Sequence, residues 1–170
     1  MSTEMHGATP LTADAPSPGR DRLLDVVGTL ARLFLGIVLI YAGATKIGHP
    51  LTAQRAVQAY EIFPDGLANT IGLALPFLEV ILGVLLVLGL FTRPVAIVST
   101  LLMVAFIIGI SQAWARGLTI DCGCFGGGGT IAAAQTHYLS ETLRDVGLAL
   151  CALWLVVRPR TAFSLDRRLF

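Results

Sequence analysis

Residues 67–91 read LANTIGLALPFLEVILGVLLVLGLF and residues 95–114 read VAIVSTLLMVAFIIGISQAW, with only Thr92, Arg93 and Pro94 between them. Each run reaches the ~20 apolar residues that a helix needs to cross a bilayer. So short a connection predicts an antiparallel helical hairpin. Pro94 suits the first turn of the second helix, where its missing N–H is no loss. Pro76 lies inside the first helix, where a membrane span tolerates proline and is often kinked by it.

Two further runs of this kind, residues 26–46 and 139–157, flank the hairpin. The expected fold class is therefore all-α, an integral membrane four-helix bundle. Composition agrees: of 170 residues, 55% are hydrophobic and 14% charged, with a mean hydropathy of +0.76. Soluble domains are nearer a quarter charged. A disordered chain is excluded and a soluble globular domain disfavoured. The net charge of +1 gives no sign of a nucleic-acid partner. The length suits one domain.

The expected organisation is a disordered tail over residues 1–22, a four-span membrane domain over 23–158 and a basic tail over 159–170. The start of the tail has no basic cluster followed by a short apolar core and a small-residue cleavage site, so the first span is expected to stay as an anchor. Orientation follows from Lys and Arg. One side would carry Arg20, Arg22, Arg93, Arg158, Arg160, Arg167 and Arg168, and the other Lys46, Arg55 and Arg116. That imbalance places both termini in the cytoplasm and turns residues 47–66 and 115–138 outward. In the first of these loops, Ala53, Val57, Tyr60 and Phe63 can share a helical face. A short helix covering the bundle is preferred over an interfacial helix with Tyr60 at the headgroups.

The second outward loop contains Asp121-Cys122-Gly123-Cys124-Phe125 followed by Gly126 to Gly129. Gly123 lets the backbone turn both sulfurs toward one another, and the glycine run is expected to leave the loop mobile. A Cys-Gly-Cys disulfide closes a very small ring. Strain in such a ring makes it easily reduced, and it would be a poor staple because it closes almost no loop. The outward compartment is where disulfides persist. A redox-active pair is thus preferred, beside an inert loop and a metal site. Asp121 should raise the thiol pKa of Cys122. Two thiolates are too few for closed zinc coordination, and His137, the other soft ligand of the loop, reads as an interfacial polar residue. Cys151 falls ~18 Å below the outer end of the fourth span and reads as a small core residue. Without a second accessible pair, electrons must pass to or from another protein or a membrane quinone.

Arg32 and Glu79 lie within spans one and two, each ~20 Å from the outer end by helical rise. An unpaired charge there costs several kcal/mol, so an Arg32–Glu79 ion pair is expected to set the register of the two helices. Arg144 and Asp145 occupy adjacent positions that do not face each other, so separate partners are expected. Gly36, Gly43, Gly83 and Gly89 are assigned to close helix packing.

Arg32-Leu33 with Gly36, Ala42-Gly43-Ala44-Thr45-Lys46, Pro76 with Glu79 and Gly83, Gly89-Leu90-Phe91-Thr92-Arg93 and above all Cys122-Gly123-Cys124-Phe125-Gly126 resemble the methylamine-utilisation MauE family, within the DoxX-like group of four-helix membrane proteins. The resemblance covers roughly residues 24–157. It implies a role in maturing an exported disulfide-containing protein, alongside a thioredoxin-like extracytoplasmic partner. In the case that gives the family its name, the client is the small subunit of methylamine dehydrogenase. The combined expectation is thiol–disulfide exchange by Cys122 and Cys124, with Gly123 supplying geometry, in a bacterial plasma membrane. The alternatives are a quinone-linked DoxX-like oxidoreductase subunit using Arg32 and Glu79, a non-enzymatic assembly or transport factor, and a metal-handling protein.

Overall fold

The computed structural model describes residues 18–124, 126–130 and 137–159. Among these there are five helices: α1 (Pro18–Ile47), α2 (Pro50–Ala59), α3 (Asp65–Leu88), α4 (Thr92–Ala115) and α5 (Tyr138–Val157). A two-stranded antiparallel ribbon, β1 (Ile120–Asp121) with β2 (Gly129–Thr130), pairs Ile120 with Thr130 and Asp121 with Gly129. The all-α expectation therefore needs this small ribbon added. The short helix expected after the first span is α2. Because α1 begins at Pro18, residues 18–22 belong to a helix and not to the tail. Residues 1–17 and 160–170 lie outside the described residues.

The chain is an α-helical multi-pass membrane protein. α1, α3 and α4 are each long and apolar enough to cross a bilayer. Their outer faces expose Phe34, Ile37, Phe77, Ile81, Leu101 and Ile108, a belt that water would not tolerate and lipid would. α5 is 20 residues long but carries Glu141, Arg144 and Asp145 in its first half.

Inside, Leu35 and Leu39 meet Leu82, Leu86, Val95, Met103, Leu148 and Leu155. α1 packs most closely on α3, and α4 on α5. The cause of the α1–α3 approach is small residues: a Cβ at Gly83 would lie 2.6 Å from the Gly36 carbonyl oxygen, and one at Gly43 would lie 2.5 Å from that of Pro76. Gly89 does other work. It closes α3 in the left-handed conformation (φ 68°), with Leu90 N–H donating to the Leu85 carbonyl in a Schellman turn. The α3–α4 hairpin is antiparallel as read, but the two helices touch little, because each packs on another partner.

The expected Arg32–Glu79 pair is not formed. Glu79 accepts two hydrogen bonds from Lys46 Nζ, at 2.7 and 2.8 Å, with both side chains buried. The reason is register. The first turns of α3 rise past the end of α1 and pack on α2, where Gly72 lies against Gln54 and Ala53. Counting depth from Gly66 therefore sets Glu79 too deep in the bundle. Arg32 is buried as well, but lies fourteen residues from Lys46, roughly 21 Å along α1.

Removing one partner of a buried ion pair leaves an uncompensated charge. Glu79→Gln should destabilise the protein by about 3–5 kcal/mol. Lys46→Met combined with Glu79→Gln should recover most of the loss. Denaturation of the purified protein in detergent, followed by helical circular dichroism, measures both.

Candidate functional site

The ribbon joins the two ends of the cysteine loop and holds it over the end of the bundle. Gly123 takes φ 70° and Gly128 φ 137°, a region that L side chains rarely adopt. A Cβ at Gly123 would also come within 2.6 Å of the Ala56 methyl group on α2. These glycines allow tight seating on α2.

Two tyrosines clamp the loop. Tyr60, at the end of α2, donates from its hydroxyl to the Cys122 carbonyl at 3.2 Å. Its own carbonyl accepts from Gln112 and Arg116 on and beyond α4. Burial, followed by the negative charge of the neighbouring thiols, pushes the Tyr60 phenol up, so it stays protonated and donating. Tyr138, at the start of α5, donates to the Leu118 carbonyl and accepts from Ile120 N–H at 3.1 Å. Its ring stacks on Trp114. Tyr60 thus anchors the loop from inside, and not at the headgroups.

Cys122, Cys124 and Cys151 are free thiols. The turn at Gly123 brings the Cys124 backbone against the Cys122 side chain. The Cys124 backbone N–H donates to Cys122 Sγ at 3.3 Å, and Cys124 Sγ lies 4.0 Å from the Cys122 carbonyl oxygen. Arg144 Nη2 approaches Cys122 Sγ at 3.8 Å. The Cys124 thiol donating to Cys122 holds the Cys122 thiol below its ordinary range, aided by the Cys124 backbone N–H and Arg144, and outweighs burial. That same hydrogen bond, with burial and the adjacent Cys122 charge, pushes the Cys124 thiol well up. The two thiols therefore differ in acidity, with Cys122 the more acidic of the pair.

Asp121 was expected to raise the Cys122 pKa. Its Oδ1 accepts from Gly123 N–H at 3.2 Å, and the Cys122 pKa is lowered on balance, chiefly by the hydrogen bond from Cys124. Arg144 and Asp145, expected to have separate partners, pair with each other through Nε and Oδ1 at 2.9 Å. The long guanidinium side chain folds back around α5, which a rule about Cβ positions does not capture. Asp145 is buried, and its Oδ2 has no hydrogen-bond partner. A small cavity of about 20 Å³ beneath the loop is lined by Cys124, Arg144, Asp145 and Glu79. The sequence reading placed Glu79 and the cysteines in separate constellations; the fold brings them to one cavity, with Lys46 attached. Arg32 is not among its lining residues. Lys46, Tyr60, Arg144 and Asp145 are the site residues that sequence reasoning missed. The available signal for three of them was an ionisable group inside an apolar run.

His137 is the exposed residue that begins α5, and Ser140 donates to its carbonyl. Possible metal donors within 4.8 Å of one another are Asp121, Cys122 and Glu141. The donor set is thus two carboxylates and one thiol, different from the cysteine pair plus His137 considered from sequence. Cys151 lies far along α5, only partly buried among its turns.

Residues 24–158 match the family model described as methylamine utilisation protein MauE. The chain is similar to a curated protein named methylamine utilization protein MauE from Methylorubrum extorquens, at 38% identity over 133 residues. That alignment covers 76% of this chain and 68% of the relative. A protein of the same name from Paracoccus denitrificans is 31% identical over 57% of this chain and 53% of its own length. No solved structure shows significant similarity.

The hydrogen bond between the cysteines has a measurable consequence. In a Cys151→Ser background, Cys122 is the sole thiol of both Cys124→Ser and Cys124→Ala. Serine keeps a side-chain donor and alanine does not, so the alkylation midpoint of Cys122 should lie at higher pH in the alanine variant. Adding Arg144→Gln should raise it further. Iodoacetamide alkylation rates against pH, read by mass spectrometry, test the order.

Proposed function

The chain belongs to the MauE family, and from that premise we propose that it carries out thiol–disulfide exchange at the outer face of a bacterial plasma membrane. The observation that carries this reading is the geometry of the pair: Cys122 and Cys124 are both free, the Cys124 backbone N–H donates to Cys122 Sγ at 3.3 Å, and Arg144 Nη2 lies 3.8 Å from that sulfur. A cation and an N–H directed at one sulfur favour its thiolate as nucleophile.

In the reducing direction, Cys122 thiolate attacks a partner disulfide and forms a mixed disulfide; Cys124 then attacks Cys122 Sγ and releases the partner thiol. The oxidising direction runs through the same intermediate. Gly123 keeps the sulfurs adjacent, Arg144 stabilises the thiolate, and Tyr60 fixes the loop. The partner class is an exported disulfide-containing client, or a thioredoxin-like protein acting on one. The relatives are named for methylamine utilisation, and a subunit of an exported amine-oxidising enzyme is a client of suitable chemistry.

The proposed topology has four spans, with α5 as the fourth, both termini in the cytoplasm and the cysteine loop outside. α5 supports this by turning Asp145 inward while exposing Leu139, Leu143, Leu150 and Val157. The membrane domain is residues 23–158, with α1 extended to Pro18.

A trapping experiment tests the reading. In cells producing Cys124→Ser, a mixed disulfide through Cys122 should accumulate and disappear on reduction. Cys122→Ser should give none. If both variants support client maturation as well as the parent, thiol exchange is not the function.

A further inference from the structure

A second cavity of about 250 Å³ lies beside the cysteine pair, between α2, α3 and α4. It exists because α3 packs on α1 and α4 on α5, leaving a gap in the hairpin. Its walls are almost wholly apolar, including Leu75, Pro76, Phe106 and Gly109, and Cys122 and Cys124 form part of its lining. Ala105, Ile62 and Phe63 line it and are exposed, Ala105 beside the exposed Leu101, Val104 and Ile108 of α4, so the cavity opens on that apolar face of the helix.

Resting on the thiol-exchange reading, we infer that this cavity binds the ring of a membrane benzoquinone, which accepts the electrons of the Cys122–Cys124 pair. Three observations converge on that ligand class. The first is size: a cavity of about 150 Å³ holds benzene, so 250 Å³ holds one substituted ring. The second is polarity. Lys46 lines the cavity and gives two hydrogen bonds to Glu79. An ammonium has three donors, and the third suits a quinone carbonyl and the negative charge that grows on it during reduction. The third is electron balance. Cys151 is remote from the pair, so this chain cannot pass the electrons to a second dithiol of its own, while the bilayer supplies a diffusible two-electron acceptor. A saturated lipid tail fits the walls but uses neither Lys46 nor the thiols.

The reaction balances simply. Cys122 thiolate and Cys124 thiol form one S–S bond. Two electrons pass to the quinone, which takes one proton from Cys124 and one from water and leaves as the quinol. The dithiol is oxidised and the quinone reduced, so the protein would act on its clients as an oxidant.

The test uses the full chain with Cys151→Ser, reduced, freed of reductant and held in detergent without oxygen. The probe is ubiquinone-1, whose ring has no open position for thiol addition. Its absorbance change and the number of alkylatable thiols are followed together, with oxidised glutathione as a parallel, water-borne oxidant. One quinone should be consumed per pair, and none by Cys122→Ser with Cys124→Ser. Ala105→Trp, which fills the mouth of the cavity, should lower the ratio of the quinone rate to the glutathione rate about tenfold or more. If glutathione oxidises the pair and ubiquinone-1 does not, the quinone site is wrong and thiol exchange stands. If neither reacts, both readings fall. If Ala105→Trp leaves the ratio unchanged, quinone does not use this cavity and the assignment is overturned.

Discussion

Placing Lys46 and Glu79 in the interior of an apolar bundle is the constraint around which the rest is organised. Each charge alone is costly in hydrocarbon. Together they form a close, doubly hydrogen-bonded pair, which requires α1 and α3 to meet at one register. Gly36, Gly43 and Gly83 permit that approach, since a methyl group at any of them would collide with the opposing helix. Phe106 of α4 sits beside the Lys46 ammonium, 5.8 Å from ring centroid to nitrogen. The pair therefore ties three helices together at the level where the cysteine loop is seated.

The same arrangement accounts for the two cavities. Close packing of α1 on α3 and of α4 on α5 uses up the contact faces of the hairpin helices. What remains between α3 and α4 is an apolar gap roofed by α2 and the loop. Asp145 and Arg144 bring a second charged pair close to Cys124. Cys124 thus lines both cavities, and Cys122 only the larger one.

The loop itself is built for position. Ribbon pairing, the Tyr60 and Tyr138 hydroxyls and the left-handed glycines hold a seven-residue excursion between β1 and β2 against α2. Within it, the hydrogen bond from Cys124 lowers the pKa of the Cys122 thiol and raises that of Cys124. Arg144 reinforces the difference from α5, twenty-two positions away in sequence. Asp121, adjacent in sequence, turns its carboxylate to the Gly123 N–H.

By itself the sequence determined the apolar spans, the Cys-Gly-Cys pair and the small-residue faces of α1 and α3. These depend on local pattern: run length against bilayer thickness, spacing along one loop, and the absence of a side chain. The existence of α2 was legible for the same reason. The partner of Glu79, the joining of Arg144 to Asp145 and the roles of Tyr60 and Tyr138 were decided only by tertiary structure. Each depends on how far one helix slides past another or how a long side chain bends. A slide of one helix along another changes no feature of the sequence pattern, yet it replaces Arg32 with Lys46 beside the carboxylate. The cavity beside the cysteines is likewise a property of which helices pack together, and four apolar helices in sequence leave that choice open.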